Sequence, residues 1–195
     1  MNIKKILILG TGGHAKSCID LISRCKDYNL IGLISKNSDE IGKKILNVKV
    51  VGSDKDLFNL KKKCKNLMIG IGFLGKSRKK EVLYNKVINM GFRIPTIISP
   101  SSYISKYAKI EEGVNIFHDC IIGPNTLIKK GVIINNKCLL EHDVTVENFS
   151  HVSTSCVING NSIIGAKSFI GSGVIVKNNS KIKSNSFIKM GSLIK

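Results

Sequence analysis

From Ile98 onward every sixth residue is Ile, Leu or Val, through positions 104, 110, 116, 122, 128, 134, 140, 146, 152, 158, 164, 170, 176, 182, 188 and 194. A second row lies four residues after each of these. From Ala108 it holds only small or β-branched side chains: Val114, Cys120, Thr126, Val132, Cys138, Val144, Ser150, Cys156, Ser162, Ser168, Val174, Ser180, Ser186 and Ser192. Both rows must face a narrow interior. Three six-residue faces make one triangular coil of eighteen residues, and coils stacked at roughly 4.8 Å pair their backbone groups with one another. The pattern predicts a left-handed parallel β-helix, a hexapeptide-repeat solenoid, over residues 97–195.

The residue just before each interior aliphatic points outward. On one face these are Tyr103, Ile121, Leu139, Val157, Ile175 and Leu193, an apolar stripe that needs cover. The other two outward rows are mixed; one of them carries Ile97, Asn115, Ile133, His151, Phe169 and Phe187. A three-sided prism with one apolar face predicts a homotrimer.

Residues 1–96 follow a different grammar, with Pro95 and Pro100 bracketing the change. Short aliphatic runs at Lys5–Leu9, Leu30–Ile34 and Leu67–Ile71 read as strands. His14–Cys25, Asp54–Cys64 and Lys79–Met90 carry helical spacing, with Gly91 where a helix would stop. The order βαβ(β)αβα predicts a small Rossmann-like α/β domain with a parallel sheet. Its first strand runs into Gly10-Thr11-Gly12-Gly13-His14, a turn that exposes N–H groups at a helix N-terminus and so favours an anion. A dinucleotide fingerprint would want a third Gly where Ala15 stands and an acid ending the second strand, where Ser35-Lys36-Asn37 stand, which disfavours NAD. A phosphorylated or nucleotide-linked sugar, or a turn needed only for helix–sheet packing, are the readings left.

The chain of 195 residues can bury a core without disulfides, and its six cysteines include no C-x-x-C pair. With no cleavable leader and no membrane span, this composition predicts a reduced, cytoplasmic protein. Cys120, Cys138 and Cys156 are eighteen apart and should stack as one interior column rather than bind metal. The net charge of +18 would suit nucleic acid, but the lysines are scattered and no aromatic-basic motif accompanies them. No nucleic-acid partner is expected. A positive field instead suits polyanionic small molecules such as coenzyme A or nucleotide sugars.

His142 lies in Leu140-Glu141-His142-Asp143, near the apolar stripe. An imidazole flanked by carboxylates can be held in one tautomer and made more basic, which deprotonating an amine or hydroxyl nucleophile requires. The alternative is an exposed corner residue. His151 follows nine residues later, half a coil, so the two side chains leave opposite sides of one prism and would share a site only across subunits. His118, His142 and His151 could also be read as a zinc site shared across a trimer, the arrangement of a hydratase.

Together, Gly10-Thr11-Gly12-Gly13-His14, Glu141-His142-Asp143, Phe149-Ser150-His151-Val152-Ser153 and the six-residue repeats resemble the sugar acyltransferase family. That family contains sialic-acid O-acetyltransferases and UDP-amino-sugar N-acetyltransferases. The resemblance covers nearly the whole chain and implies acetyl-CoA as donor and a sugar or sugar nucleotide as acceptor, with no metal. It implies His142 as general base, with Asp143 and Glu141 raising its basicity, and His151 at the thioester end of acetyl-CoA. Gly12, Gly13 and His14, with Gly72 behind them, would hold the sugar nucleotide, and Ser172 and Met190 would border the coenzyme A channel. Ser35-Lys36 stand where the UDP-sugar N-acetyltransferases carry paired aspartates, which leaves the acceptor, and N- against O-acylation, open. The repeats run to Ile194-Lys195 without a closing segment, so the last coil is expected to be uncapped. That feature supports the alternative of a catalytically silent trimeric binding module.

Overall fold

The computed structural model describes residues 3–72 and 79–195, which fall into two compact units, 3–72 with 82–95 and 79–81 with 96–195. The first unit contains β1 (Lys4–Leu9), α1 (Gly13–Arg24), β2 (Tyr28–Ser35), β3 (Lys44–Ile45), β4 (Val48–Ser53), α2 (Leu57–Lys63), β5 (Leu67–Ile69) and, from Val82, α3 (Lys79–Asn89). The sheet order is β3-β4-β2-β1-β5, parallel throughout except for the β3–β4 hairpin. Leu46 and Asn47 turn that hairpin in the left-handed region, at φ 46° and 66°, which matches the twist of the strands they join. The last four residues of β1 are all buried, as expected of a parallel strand covered on both faces.

Two element ends differ from the sequence reading. The helix expected from Asp54 opens with a 3-10 turn, Asp54–Asp56, because the Asp56 carboxylate accepts from the Ser53 N–H (2.8 Å) and hydroxyl (2.9 Å). The strand expected to reach Ile71 stops at Ile69. Beyond it, Gly70 passes so close to β1 and α1 that a Cβ there would lie 2.5 Å from Ile8 Cγ2 and 3.2 Å from the Ala15 Cα.

The second unit is a left-handed parallel β-helix of two-residue strands in three sheets, each strand pairing in register with those eighteen residues before and after it. The aliphatic row is fully buried from Ile116 to Val176 and opens only toward the two ends. The small row has a reason beyond size. Its hydroxyls and thiols donate to the carbonyl fifteen residues ahead: Thr126 to Glu141 (2.8 Å), Cys138 to Ser153 (2.9 Å), Ser150 to Gly165 (2.8 Å), Cys156 to Gly171 (3.0 Å) and Ser162 to Lys177 (2.9 Å). Each bond ties one coil to the next and satisfies a polar group inside the prism. The cysteine column is part of this ladder, and hydrogen bonding from Cys120 and Cys156, together with burial, holds the Cys138 thiol above its ordinary range.

Every sixth residue from Gly113 to Gly191 has a positive φ, whether Gly, Asn, Asp, Lys, Phe or Ser. These residues turn the corners, and many send their N–H back nineteen residues, as Lys137 does to His118 O (2.9 Å) and Asp143 to Pro124 O (3.0 Å). Side chains at i and i+18 therefore stand in vertical columns.

Of the outward rows, the apolar face is open: Tyr103 is 64%, Ile121 49%, Ile175 45% and Leu193 58% exposed. The row of Ile97, Asn115, Ile133, His151 and Phe169 is instead buried. Among the described residues no helix is long and apolar enough to cross a membrane.

Lys137, at φ 57°, tests the corner rule. Lys137→Gly should raise the unfolding free energy by about 1 kcal/mol and Lys137→Val should lower it by a similar amount or more, measured by urea titration, because the left-handed region penalises a Cβ.

Candidate active site

The corner 141–144 follows the strand Leu139–Leu140, one edge of the exposed apolar face. Asp143 is its left-handed residue, at φ 59°, and its carboxylate is held at both oxygens. Oδ2 lies 2.7 Å from His142 Nδ1, and Oδ1 accepts from Asn125 Nδ2 at 2.5 Å, one coil below. The Asn125 hydrogen bond, and after it the imidazole, hold the Asp143 carboxyl below the usual carboxylate range. It is therefore ionised well into acid, and only as pH falls through that depressed value is its support for the imidazole lost. An ionised carboxylate can only accept, so His142 donates its Nδ1–H to it, an arrangement that in the neutral ring places the lone pair on Nε2. Both side chains stay about half exposed, at 55% and 44%.

The imidazole lies over Gly160, one coil above. A Cβ there would sit 2.6 Å from both Nε2 and Cε1 of His142. Sequence reading missed both Gly160 and Asn125, although Gly160 stands one period of eighteen after His142 and Asn125 one period before Asp143. Glu141 is only half buried, and among the described residues its carboxylate makes no hydrogen bond to the imidazole; its charge is merely nearby.

His151 is not an exposed partner of His142. It is 7% exposed and meets the Phe169 ring edge-on at 5.2 Å, and Phe169 in turn stacks on Phe187 at 5.3 Å. Ser172 and Met190 are eighteen residues apart in one corner column, exposed, with the Ser172 carbonyl accepting from Gly191 N (2.9 Å) and its hydroxyl 2.9 Å from Ser153 Oγ. That column borders the apolar face on the edge opposite His142, so one chain does not bring them together. His118 bonds Ser99 Oγ through Nδ1 (2.8 Å). Among the described residues no group of three metal-ligating side chains forms.

In the first unit, the glycine turn closes onto β5. A Cβ at Gly10, at φ 127°, would meet Gly70 O at 2.8 Å, so this glycine is a packing requirement. Gly12 caps α1 and Gly13 begins it; a Cβ on either would have nothing within 4 Å, so their turn faces open space. A Cβ at Gly72 would lie 3.3 Å from that of His14, which places the two side by side. The acid absent from the end of β2 is supplied from beyond it. Glu40, in a 3-10 turn at Ser38–Glu40, accepts on Oε2 from Thr11 Oγ1 (2.9 Å) and Ser35 Oγ (2.5 Å). The Ser35 bond, then the Thr11 bond, hold its carboxyl below the ordinary range.

The PglD N-terminal domain profile matches residues 5–87, and the GMPPB C-terminal domain profile matches residues 95–195. No curated protein matches the chain. Among solved structures, PerB from Caulobacter crescentus, in complex with CoA and GDP-perosamine, is 26% identical with a TM-score of 0.89, covering 100% of this chain and 90% of that one. A perosamine N-acetyltransferase from the same organism, with one histidine replaced by asparagine and with the same two molecules bound, is 25% identical with a TM-score of 0.67 over 100% and 90% of the two chains. The acetyltransferase domain of PglB from Neisseria gonorrhoeae, at 24% identity and TM-score 0.88 over 98% and 91%, shares the fold.

Gly160→Ala separates function from stability at this corner. Its φ is not positive, and the three atoms nearest the added methyl all belong to the movable His142 ring, so the melting temperature should hold or rise slightly while acyl transfer falls at least tenfold. Loss of both together, or of neither, would contradict the geometry.

Proposed function

Because the chain belongs to the hexapeptide-repeat sugar acyltransferases, and through residues 95–195 to the GMPPB C-terminal domain family, we propose that it moves an acetyl group from acetyl-CoA to the amine of a nucleotide-linked sugar. The observation that carries this reading is the His142–Asp143 pair, fixed through Nδ1 at 2.7 Å and presenting Nε2. The likeness at 26% identity, over 90% of its length, to a structure holding CoA and GDP-perosamine favours an amino sugar over a hydroxyl acceptor.

In the proposed reaction the neutral amine attacks the thioester carbonyl. A C–N bond forms while His142 Nε2 takes the proton released from nitrogen, and a backbone N–H of the coil stabilises the tetrahedral oxyanion. The C–S bond then breaks, and the imidazolium returns its proton to the departing thiolate. Asp143 stays ionised throughout and stabilises the transient imidazolium; Glu141 adds a second negative charge nearby.

The assembly we infer is a homotrimer closed over the Tyr103, Ile121, Ile175 and Leu193 face. His142 borders one edge of that face and the Ser172–Met190 column the other. Threefold packing would set the base of one subunit against the coenzyme A channel of the next. His151, buried against Phe169, would then line the thioester end through the wall it helps to build rather than by a freely exposed ring. In the first unit, Gly12, Gly13 and His14, with Gly72 beside them, would take the sugar nucleotide, and Glu40 would accept hydrogen bonds from its hydroxyl or N–H groups. Six free cysteines accord with a reducing, cytoplasmic setting.

Release of coenzyme A thiol from acetyl-CoA, followed against UDP- and GDP-linked amino sugars, sialic acid and small amines, tests the reading. One amino-sugar nucleotide should turn over, and His142→Ala should cut kcat by about 10²-fold or more without disturbing assembly. Turnover unchanged in that variant would remove the base assignment. Glu40→Gln should raise KM for the sugar nucleotide and leave KM for acetyl-CoA as it was; an equal change in both would argue for a purely structural Glu40.

A further inference from the structure

The column 125, 143, 161, 179 contains only Asn and Asp, each at a left-handed corner with φ between 57° and 61°. Within it the side chains pair one coil to the next: Asn125 Nδ2 to Asp143 Oδ1, and Asn161 Nδ2 to Asn179 Oδ1 at 2.8 Å. No such bond joins Asp143 to Asn161 among the described residues; one Asp143 oxygen is engaged by Asn125 and the other by His142. A carboxylate free to rotate about its terminal bond would offer the imidazole either oxygen in many orientations. The Asn125 amide removes that freedom, since a donor fixed from below on Oδ1 leaves Oδ2 alone to receive Nδ1–H. Pro124 completes the seat by accepting the Asp143 N–H (3.0 Å), and Gly160 leaves room for the ring above.

Resting on the proposed role of His142 as base, we propose that Asn125 is the positioning residue of the acyl-transfer site, fixing the Asp143 rotamer and through it the imidazole tautomer. It touches neither substrate. Its effect passes by two hydrogen bonds, and in other sites the loss of a partner that orients a working ligand or base costs about 10–100-fold.

Asn125→Gly is the cleanest variant. It removes the amide without straining a left-handed corner, where glycine already serves at 113, 131, 173 and 191. In full-length protein labelled with ¹⁵N at histidine, with the His142 signals assigned by their loss in His142→Asn, the wild-type ring should show Nδ1–H with unprotonated Nε2 at pH 8. Asn125→Gly should show a mixture of tautomers. That readout needs no acceptor sugar. With a working acceptor, kcat should fall 10–100-fold while KM for both substrates stays within about twofold. Asn125→Asp places a second negative charge by the pair and favours the imidazolium, so the acid limb of kcat/KM should move to higher pH. An unchanged tautomer and kcat in Asn125→Gly, with or without a lowered melting temperature, would overturn the positioning role. Failure of His142→Ala to reduce turnover would instead overturn the base assignment on which it rests.

Discussion

The left-handed corner repeated every sixth residue is the constraint on which the second unit depends. It lets a strand of two residues turn, reach back to the coil below through its own N–H, and start again in register. Because the repeat admits no drift, a side chain at i stands in one column with those at i−18 and i+18. The interior aliphatic column, the ladder of thiols and hydroxyls, and the Asn125–Asp143 pair are three results of one geometry.

The same constraint shapes the chemistry. Asp143 occupies a conformation that Asn and Asp tolerate better than most residues, so the fold's need for a left-handed corner and the proposed site's need for a carboxylate fall on one position. The pair is about half exposed, where an ion pair adds little to stability. Under the proposed role its contribution is orientation, through the Nδ1–H held on Asp143 at 2.7 Å. Gly160, one coil above, leaves room for the ring, and the Asn125 amide, one coil below, holds the carboxylate.

Much of this was legible before any coordinates. The period of six named the solenoid, its interior rows and the exposed apolar stripe, because burial in a prism filters residue type at fixed positions. His142 and Asp143 were legible because few residues carry such chemistry and they are adjacent. Gly160 and Asn125 were not, since their meaning lies in a column and not in local sequence; shifting the eye eighteen residues from the dyad would have found them. Glu40 was hidden for another reason. It serves the end of β2 from a 3-10 turn beyond it, and strand patterns do not reveal which side chain folds back. The burial of His151 was equally out of reach, because the alternation along a coil says which way a side chain points and not what its neighbours leave exposed.

A crystal structure of the protein with coenzyme A and an amino-sugar nucleotide bound tests the central claim most directly. The acceptor nitrogen is expected within about 2.6–3.2 Å of His142 Nε2, with the coenzyme A sulfur on its far side. An acceptor nitrogen bound well out of reach of His142, with another base beside it, would contradict the assignment.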